Sequence, residues 1–185
     1  MFYRVEIKDH VRVSPKYFSD KIQDAVTESI RKKFEGFISQ ELGFVIDVAK
    51  VNEIKEGVII AGDGAAYYES TFELIAFRPE LQEVVIGKIK DVADFGAFIT
   101  LGPIEGMIHV SQTMDDFVSF SKEKVLLGKE SNRSLKVDDK CKARIIAISF
   151  KDLSNPKIGL TMRQQTLGKL EWIEEELTKK DEKKK

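Results

Sequence analysis

Val85-Ile86-Gly87-Lys88-Ile89-Lys90-Asp91-Val92-Ala93-Asp94-Phe95-Gly96-Ala97-Phe98-Ile99, followed after Thr100 and Leu101 by Gly102-Pro103-Ile104-Glu105-Gly106-Met107-Ile108-His109-Val110-Ser111, is the stretch whose reading decides the fold of this chain. It divides into short apolar runs at 84–92, 95–101 and 104–110, parted by the turn formers Ala93-Asp94 and Gly102-Pro103. Two further runs follow at 141–149 and 157–162. Five short strands with no long helix between them predict a small closed barrel. The connection at 111–139 interrupts the rhythm. It is rich in Asp, Ser and Lys, with Phe117, Val118, Phe120, Val125, Leu126 and Leu127 as apolar anchors, so partial order is expected, as a short helix or a strand pair.

Phe95 and Phe98 are three residues apart and would face opposite sides of a regular strand. A turn or bulge at Gly96 can bring both rings to one surface. His109 supplies a third flat side chain near the end of an adjacent strand, and Lys88, Arg144 and Lys157 supply charge. Flat rings edged with cations form a platform for single-stranded nucleic acid, at about 1–3 kcal/mol per stacked base. By chemistry alone each Phe serves a core as readily as a surface, and a lone His is more often structural. The combination is what points to binding.

Ahead of the barrel the pattern differs. Tyr3, Val5 and Ile7 alternate with Arg4, Glu6 and Lys8 as a strand with one wet face, extended by Val11 and Val13. Ser14-Pro15 reads as a helix start. Phe18, Ile22, Ala25, Val26, Ile30 and Phe34 then form one apolar stripe, and Gly36 is its stop. A strand at 43–54 with Phe44, Ile46 and Val48 on one face, a turn at Lys55-Glu56-Gly57, a short strand at 58–61, a Gly62-Asp63-Gly64 hairpin and a strand at 65–77 complete a helix packed on an antiparallel sheet. Leu167, Leu170, Ile173 and Leu177 predict a terminal helix carrying Trp172, and 179–185 reads as a solvated, disordered end.

Of the 185 residues 42% are hydrophobic and 33% charged, and the formal net charge is −1. Residues 1–81 hold 11 basic and 14 acidic side chains, and residues 82–163 hold 13 and 11, so the second half is the more basic. Such a balance holds nucleic acid locally without attracting it from afar. The single cysteine, Cys141, forms no internal disulfide, and a cytoplasmic, reducing setting is expected. One Cys with His10 and His109 is too few for a four-ligand zinc site, the first residues do not read as a signal peptide, and no apolar run approaches the length of a membrane span. Asp115-Asp116 and Asp138-Asp139 lack a His partner or metal-ligand spacing and read as solvated loop, which leaves a metal-dependent nuclease without support. No catalytic residue, metal or cofactor is expected.

The Asp-Phe-Gly-Ala-Phe core and the Glu-Gly-Met-Ile-His-Val-Ser segment resemble the RNA-binding repeat of the largest small-subunit ribosomal protein, the S-one type of OB-fold, over about 84–163. The resemblance implies that Phe95, Phe98, His109 and a basic residue at Lys157 line an RNA face. It departs at Ser149, where the family carries an acid, at Lys157, where it carries Arg, and in the long 111–139 connection. Gly62-Asp63-Gly64-Ala65-Ala66-Tyr67-Tyr68 and Phe77-Arg78-Pro79-Glu80-Leu81-Gln82-Glu83-Val84-Val85 are similar to the archaeal RNA polymerase stalk subunit family called E-prime, and to its eukaryotic counterparts. That resemblance implies an α+β N-terminal polymerase-docking domain (1–81), an all-β five-stranded OB-fold RNA-binding domain (82–163) and a C-terminal helix with a charged tail (164–185). It further implies a non-catalytic subunit that touches the polymerase core through loops at Gly36 and at Gly62, Asp63 and Gly64. A small helical stalk subunit, called F, would form a heterodimer with it at the terminal helix around Trp172 or at the junction of the domains. The barrel would meet single-stranded nascent RNA, with no membrane involved. A free-standing RNA adaptor, such as an exosome cap or a translation factor, is the alternative.

Overall fold

The computed structural model describes residues 1–121, 123–152 and 156–182, so the last residues of the charged tail, 183–185, lie outside it. The chain divides into two compact units, Met1–Arg78 and Pro79–Lys185.

The first unit runs β1 (Phe2–Val13), a 3-10 turn (Pro15–Tyr17), α1 (Ile22–Phe34), β2 (Ile38–Ser39), β3 (Gly43–Ile59) and β4 (Ala66–Phe77). The strands form an antiparallel sheet in the order β1-β4-β3-β2. Period-two alternation along β1 turns Val11 and Val13 toward α1, whose Ala25, Val26, Ile30 and Phe34 cover them together with Val45, Val51, Phe72 and Leu74. Burial of aliphatic and aromatic side chains of this size contributes about 1.5–3 kcal/mol each, which is why an isolated 13-residue helix of weak propensity holds here. The opposite face is wet and laced with cross-strand pairs. Lys8 and Lys55 share Glu69, at 2.6 and 2.8 Å, and Arg12 grips Asp63 with its Nε at 2.9 Å.

Three details differ from the expectation. Pro15 initiates only a 3-10 turn, and the α-helix begins at Ile22 instead. Ser14 makes no side-chain cap, and Phe18 and Ile22 fall outside the buried stripe, 50% and 56% exposed. The turn expected at Lys55-Glu56-Gly57 is absent, because β3 runs unbroken and absorbs the extra residues as register shifts against β4, one of them between Ile54 and Gly57. A shift between Val45 and Asp47 likewise turns Ile46 out to solvent, away from Phe44.

The second unit contains β5 (Val84–Ala93), β6 (Gly96–Thr100), β7 (Glu105–His109), a 3-10 turn (Val110–Gln112), β8 (Val118–Ser121), β9 (Val125–Gly128), β10 (Ser134–Leu135), β11 (Lys140–Ser149), β12 (Lys157–Thr161), β13 (Gly168–Lys169) and α2 (Leu170–Glu182). The order β12-β7-β6-β5-β11 closes on itself through the β11–β12 pairing, giving the five-stranded OB-like barrel. Ile89, Ile99, Ile108, Ile145, Ile158 and Leu160 fill it. The 111–139 connection folds as the three-stranded sheet β10-β9-β8, one strand more than the expected pair. Its anchors are Met114, Leu126 and Leu135, whereas Phe117 and Phe120 are 74% and 42% exposed.

The loop carboxylates have structural work. Asp116 accepts N–H bonds from Glu130 and Ser131 at 3.1 and 2.8 Å, and a hydroxyl bond from Ser131, which hold its carboxyl down to about 2. Asp115 pairs with Arg163. Asp138 is exposed, but Asp139, expected to be solvated, is buried against Lys169 at 3.1 Å and ties β13 to the barrel. α2 continues through 179–182, beyond the helix end expected from sequence. No described helix is long and apolar enough to cross a membrane.

Asp63, Glu69 and Asp116 all have a folded-state pKa pushed down to about 2, by Arg12 and Tyr67, by Lys55 and Lys8, and by Ser131 and nearby backbone N–H groups respectively. A depressed carboxyl stabilises the fold above its unfolded pKa near 4, and that contribution disappears as pH falls through the folded value. Thermal melts in a pH series should therefore show a constant midpoint down to about pH 5 and a progressive fall between about pH 4 and 2. A midpoint flat across that lower window would contradict these pairings.

Candidate nucleic-acid interface

The β5–β6 turn decides where the rings go. Gly96 begins β6 opposite His109, so close that a Cβ would lie 2.2 Å from the Ile108 carbonyl oxygen, a spacing only glycine permits. Phe95 precedes it in the turn, where its carbonyl accepts the Val110 N–H at 2.9 Å. Because Phe95 sits in the turn, its ring escapes strand alternation and meets Phe98 edge to face, with centroids 6.0 Å apart and planes at 86°. Phe95 is 48% exposed and Phe98 is partly buried. Ala97 and Ile99, on the other side of β6, are fully buried.

His109 is exposed at the end of β7. Its Nδ1 accepts the Ser111 N–H at 3.3 Å and lies 2.8 Å from Ser111 Oγ. A ring that accepts at Nδ1 carries its proton on Nε2, leaving a donor at its outer edge.

Beside Phe98 the outward row continues through Met107 on β7, Gly159 on β12 and Ala147 on β11, residues paired in that order. Small residues at the last two positions leave a groove of about 610 Å³, lined also by Glu105, Ser149, Pro156 and Lys157. Ser149 pairs with Lys157 across β11–β12, so the position where the resembling family carries an acid presents a hydroxyl beside this cation.

The cations expected around the rings separate in space. Lys157 lines the groove with Phe98. Lys88 stands opposite Thr100 and Lys140 and binds Asp138 at 2.8 Å. Lys140 and Ser149 are nine residues apart on β11, about 30 Å along the strand, so Lys88 and Lys157 mark opposite ends of it. Arg144, opposite Val84 and Thr161, is partly buried with its Nε lacking a hydrogen-bond partner. Sequence reasoning missed Met107, Lys90 and Lys124. Lys90 is paired with Glu105, and Lys124, at the β8–β9 turn, reaches Asp91 at 2.8 Å, directly opposite Phe98. The positive φ of Lys124 and its origin in the connection between strands left no local signal of that approach.

In the first unit Gly62 and Gly64 adopt φ of +95° and +68°, as a tight hairpin requires. Asp63 between them is engaged by Arg12 and by the Tyr67 hydroxyl at 2.5 Å, so its carboxylate shapes the turn. The hairpin joins the β3 and β4 ends at Ile59 and Ala66. Gly36 lies near the Phe44 and Phe77 end, so the two glycine loops occupy opposite ends of the sheet. Val58, Ile59 and Ile60 are 63%, 66% and 52% exposed beside the hairpin. Trp172, expected on a partner surface, is buried beside Gly168 and under the Arg133 guanidinium, 5.3 Å from the ring centroid. Among the described residues no three His, Cys, Asp or Glu side chains gather as a metal site.

Two family models match the chain: the SHS2 domain found in the N terminus of Rpb7p/Rpc25p/MJ0397, over residues 8–64, and the S1 RNA binding domain, over residues 78–151. The chain is 34% identical over 180 residues to DNA-directed RNA polymerase subunit Rpo7 of Sulfolobus acidocaldarius, covering 97% of this chain and 98% of that one. It is 35% identical over 175 residues to the Rpo7 of Saccharolobus solfataricus, covering 94% and 97%. With DNA-directed RNA polymerase III subunit RPC8 of Bos taurus it shares 27% over 161 residues, covering 83% and 79%.

Proposed function

We propose the function of this chain from one premise: it belongs to the Rpo7 family of DNA-directed RNA polymerase subunits. It is a non-catalytic stalk subunit of that polymerase, and its S1 barrel binds single-stranded RNA as the transcript emerges, supporting initiation and elongation. The observation that carries this reading is the 97% span of the match. The S1 barrel alone would serve an exosome cap or a translation factor equally well, but both halves follow the polymerase subunit in the same order.

On the barrel, Phe95, Phe98 and His109 present flat surfaces for bases, and Lys157 presents charge to phosphates. Met107 extends the row. Lys88 and Arg144 are the weaker candidates, one held by Asp138 and one half covered. On the first unit, the Gly62-Asp63-Gly64 hairpin is the favoured docking element, because exposed Val58, Ile59 and Ile60 offer the apolar area that a stable interface core needs. Gly36, at the far end of the sheet, is a separate contact. A small helical subunit has Leu81, Val84, Ile86 and Ile146 available to it on the second unit, all exposed.

Affinity-tagged chain recovered from native lysate should bring down the large polymerase subunits. Ile59→Asp with Ile60→Asp should reduce that recovery at least tenfold, since burying two uncompensated carboxylates in an apolar contact costs several kcal/mol. Recovery of exosome or ribosomal subunits in their place would favour the free-standing adaptor.

A further inference from the structure

Two lysines bordering the rings are already occupied. Lys124 Nζ is 2.8 Å from Asp91 Oδ1, and Lys90 is paired with Glu105. Asp91 stands directly across β5–β6 from Phe98, and Glu105 lines the Phe98 groove beside Met107 and Lys157. Each of these carboxylates is therefore next to the surface on which a base would lie. All four partners are close to half exposed or more, with side-chain exposures of 60% and 49% for Lys124 and Asp91, and 59% and 48% for Lys90 and Glu105. Exposed pairs of this kind are weak and exchange readily.

An RNA phosphate meets this rim in two ways. It is attracted to Lys90 and Lys124, and it is repelled by Asp91 and Glu105, which hold those same cations. We propose that Asp91 and Glu105 are built-in competitors of RNA: phosphates of a single strand crossing Phe98 take over Lys124 and Lys90 from them, so the two carboxylates set the affinity of the platform low. The proposal rests on the reading that Phe95 and Phe98 stack bases. It assigns to the acids beside the rings a task the stacking residues cannot perform, that of keeping a moving transcript from being held. A phosphate that takes a lysine from a carboxylate releases a counterion condensed on the RNA, but the freed carboxylate attracts a cation in its place, so masking should flatten the salt dependence of binding.

The test measures fluorescence anisotropy of a labelled oligouridylate with the full chain, across a salt series. Three variants are compared with the wild type: Asp91→Asn with Glu105→Gln, Phe95→Ala with Phe98→Ala, and the charge control Glu175→Gln on exposed α2. Neutralising both masks should tighten binding roughly fivefold to twentyfold, as the release of two weak surface pairs allows. It should also steepen the log–log salt slope by about 0.7 for each lysine set free. Glu175→Gln should stay within about twofold of wild type, because α2 does not line the groove and an exposed charge outside it is screened by salt. The substitutions are at the surface, and unchanged thermal midpoints would show that the variants are folded. Binding no tighter than wild type, or equal tightening by Glu175→Gln, overturns the proposal while the stacking reading stands, provided that the aromatic variant has lost affinity. An aromatic variant that keeps wild-type affinity overturns the stacking reading and this proposal with it.

Discussion

Alanine at both Phe95 and Phe98 is expected to weaken binding of single-stranded RNA roughly 30- to 1000-fold, equivalent to about 2–4 kcal/mol. Each ring can carry one stacked base at about 1–3 kcal/mol. Because the rings touch at 6.0 Å, the losses overlap and fall short of a simple sum. The folding cost should be small, since Phe95 is half exposed and Phe98 stands on the outer face of β6, opposite the buried Ala97 and Ile99. Anisotropy titration at fixed salt reads the affinity and a parallel melt reads the fold. Affinity within twofold of wild type, in a variant that melts normally, would remove the rings from the RNA path.

The second large effect lies at the base of the barrel. Lys169→Met is expected to destabilise the second unit by about 3–5 kcal/mol, because it strands the Asp139 carboxylate in the interior without its cation. Both side chains are nearly inaccessible, 10% and 7% exposed, and their atoms are 3.1 Å apart. Burial alone would pull the Lys169 ammonium down, but Glu171 at 2.6 Å and Asp139 together hold it above its ordinary value. Asp139 also accepts the Lys136 N–H at 2.9 Å, and its backbone carbonyl accepts that of Ile89, so the carboxylate is clamped where it is. Asp139→Asn should cost less, since Lys169 keeps Glu171. The single tryptophan, Trp172, packs over Gly168 next to this pair, so its fluorescence in a urea titration follows the relevant transition. A Lys169→Met variant within about 1 kcal/mol of wild type would mean that water reaches Asp139 and the pair is not buried in solution.

Much of the architecture is a matter of local period, and local period is written in sequence. Alternation in β1, the 25-26-30-34 stripe of α1 and the five short apolar runs of the barrel each specify which face must be covered, and the covering element follows from hydrophobic burial. A turn ahead of the phenylalanines was legible for the same reason, since turn chemistry is set within a few residues, but it falls at Asp94-Phe95, one residue later than Ala93-Asp94, with Gly96 opening β6. Where the helix starts was not, because Ser14-Pro15 favours a turn without fixing how far it propagates, and tertiary contacts at Ala25 and Val26 decide which residues are worth ordering.

The remaining features depend on partners far away in the chain. Register shifts in β3 come from pairing with β4 and turn Ile46 outward against its own pattern. The burial of Asp139 depends on Lys169, thirty residues later, and the masking of Lys124 depends on Asp91, thirty-three residues earlier. The residues by themselves determined a helix on an antiparallel sheet and a barrel, and left open whether the two rings would meet. Only folding decided which charges sit beside those rings and which acids oppose them, because electrostatic partnership follows distance in space, and distance in space is the product of register, closure and packing acting together.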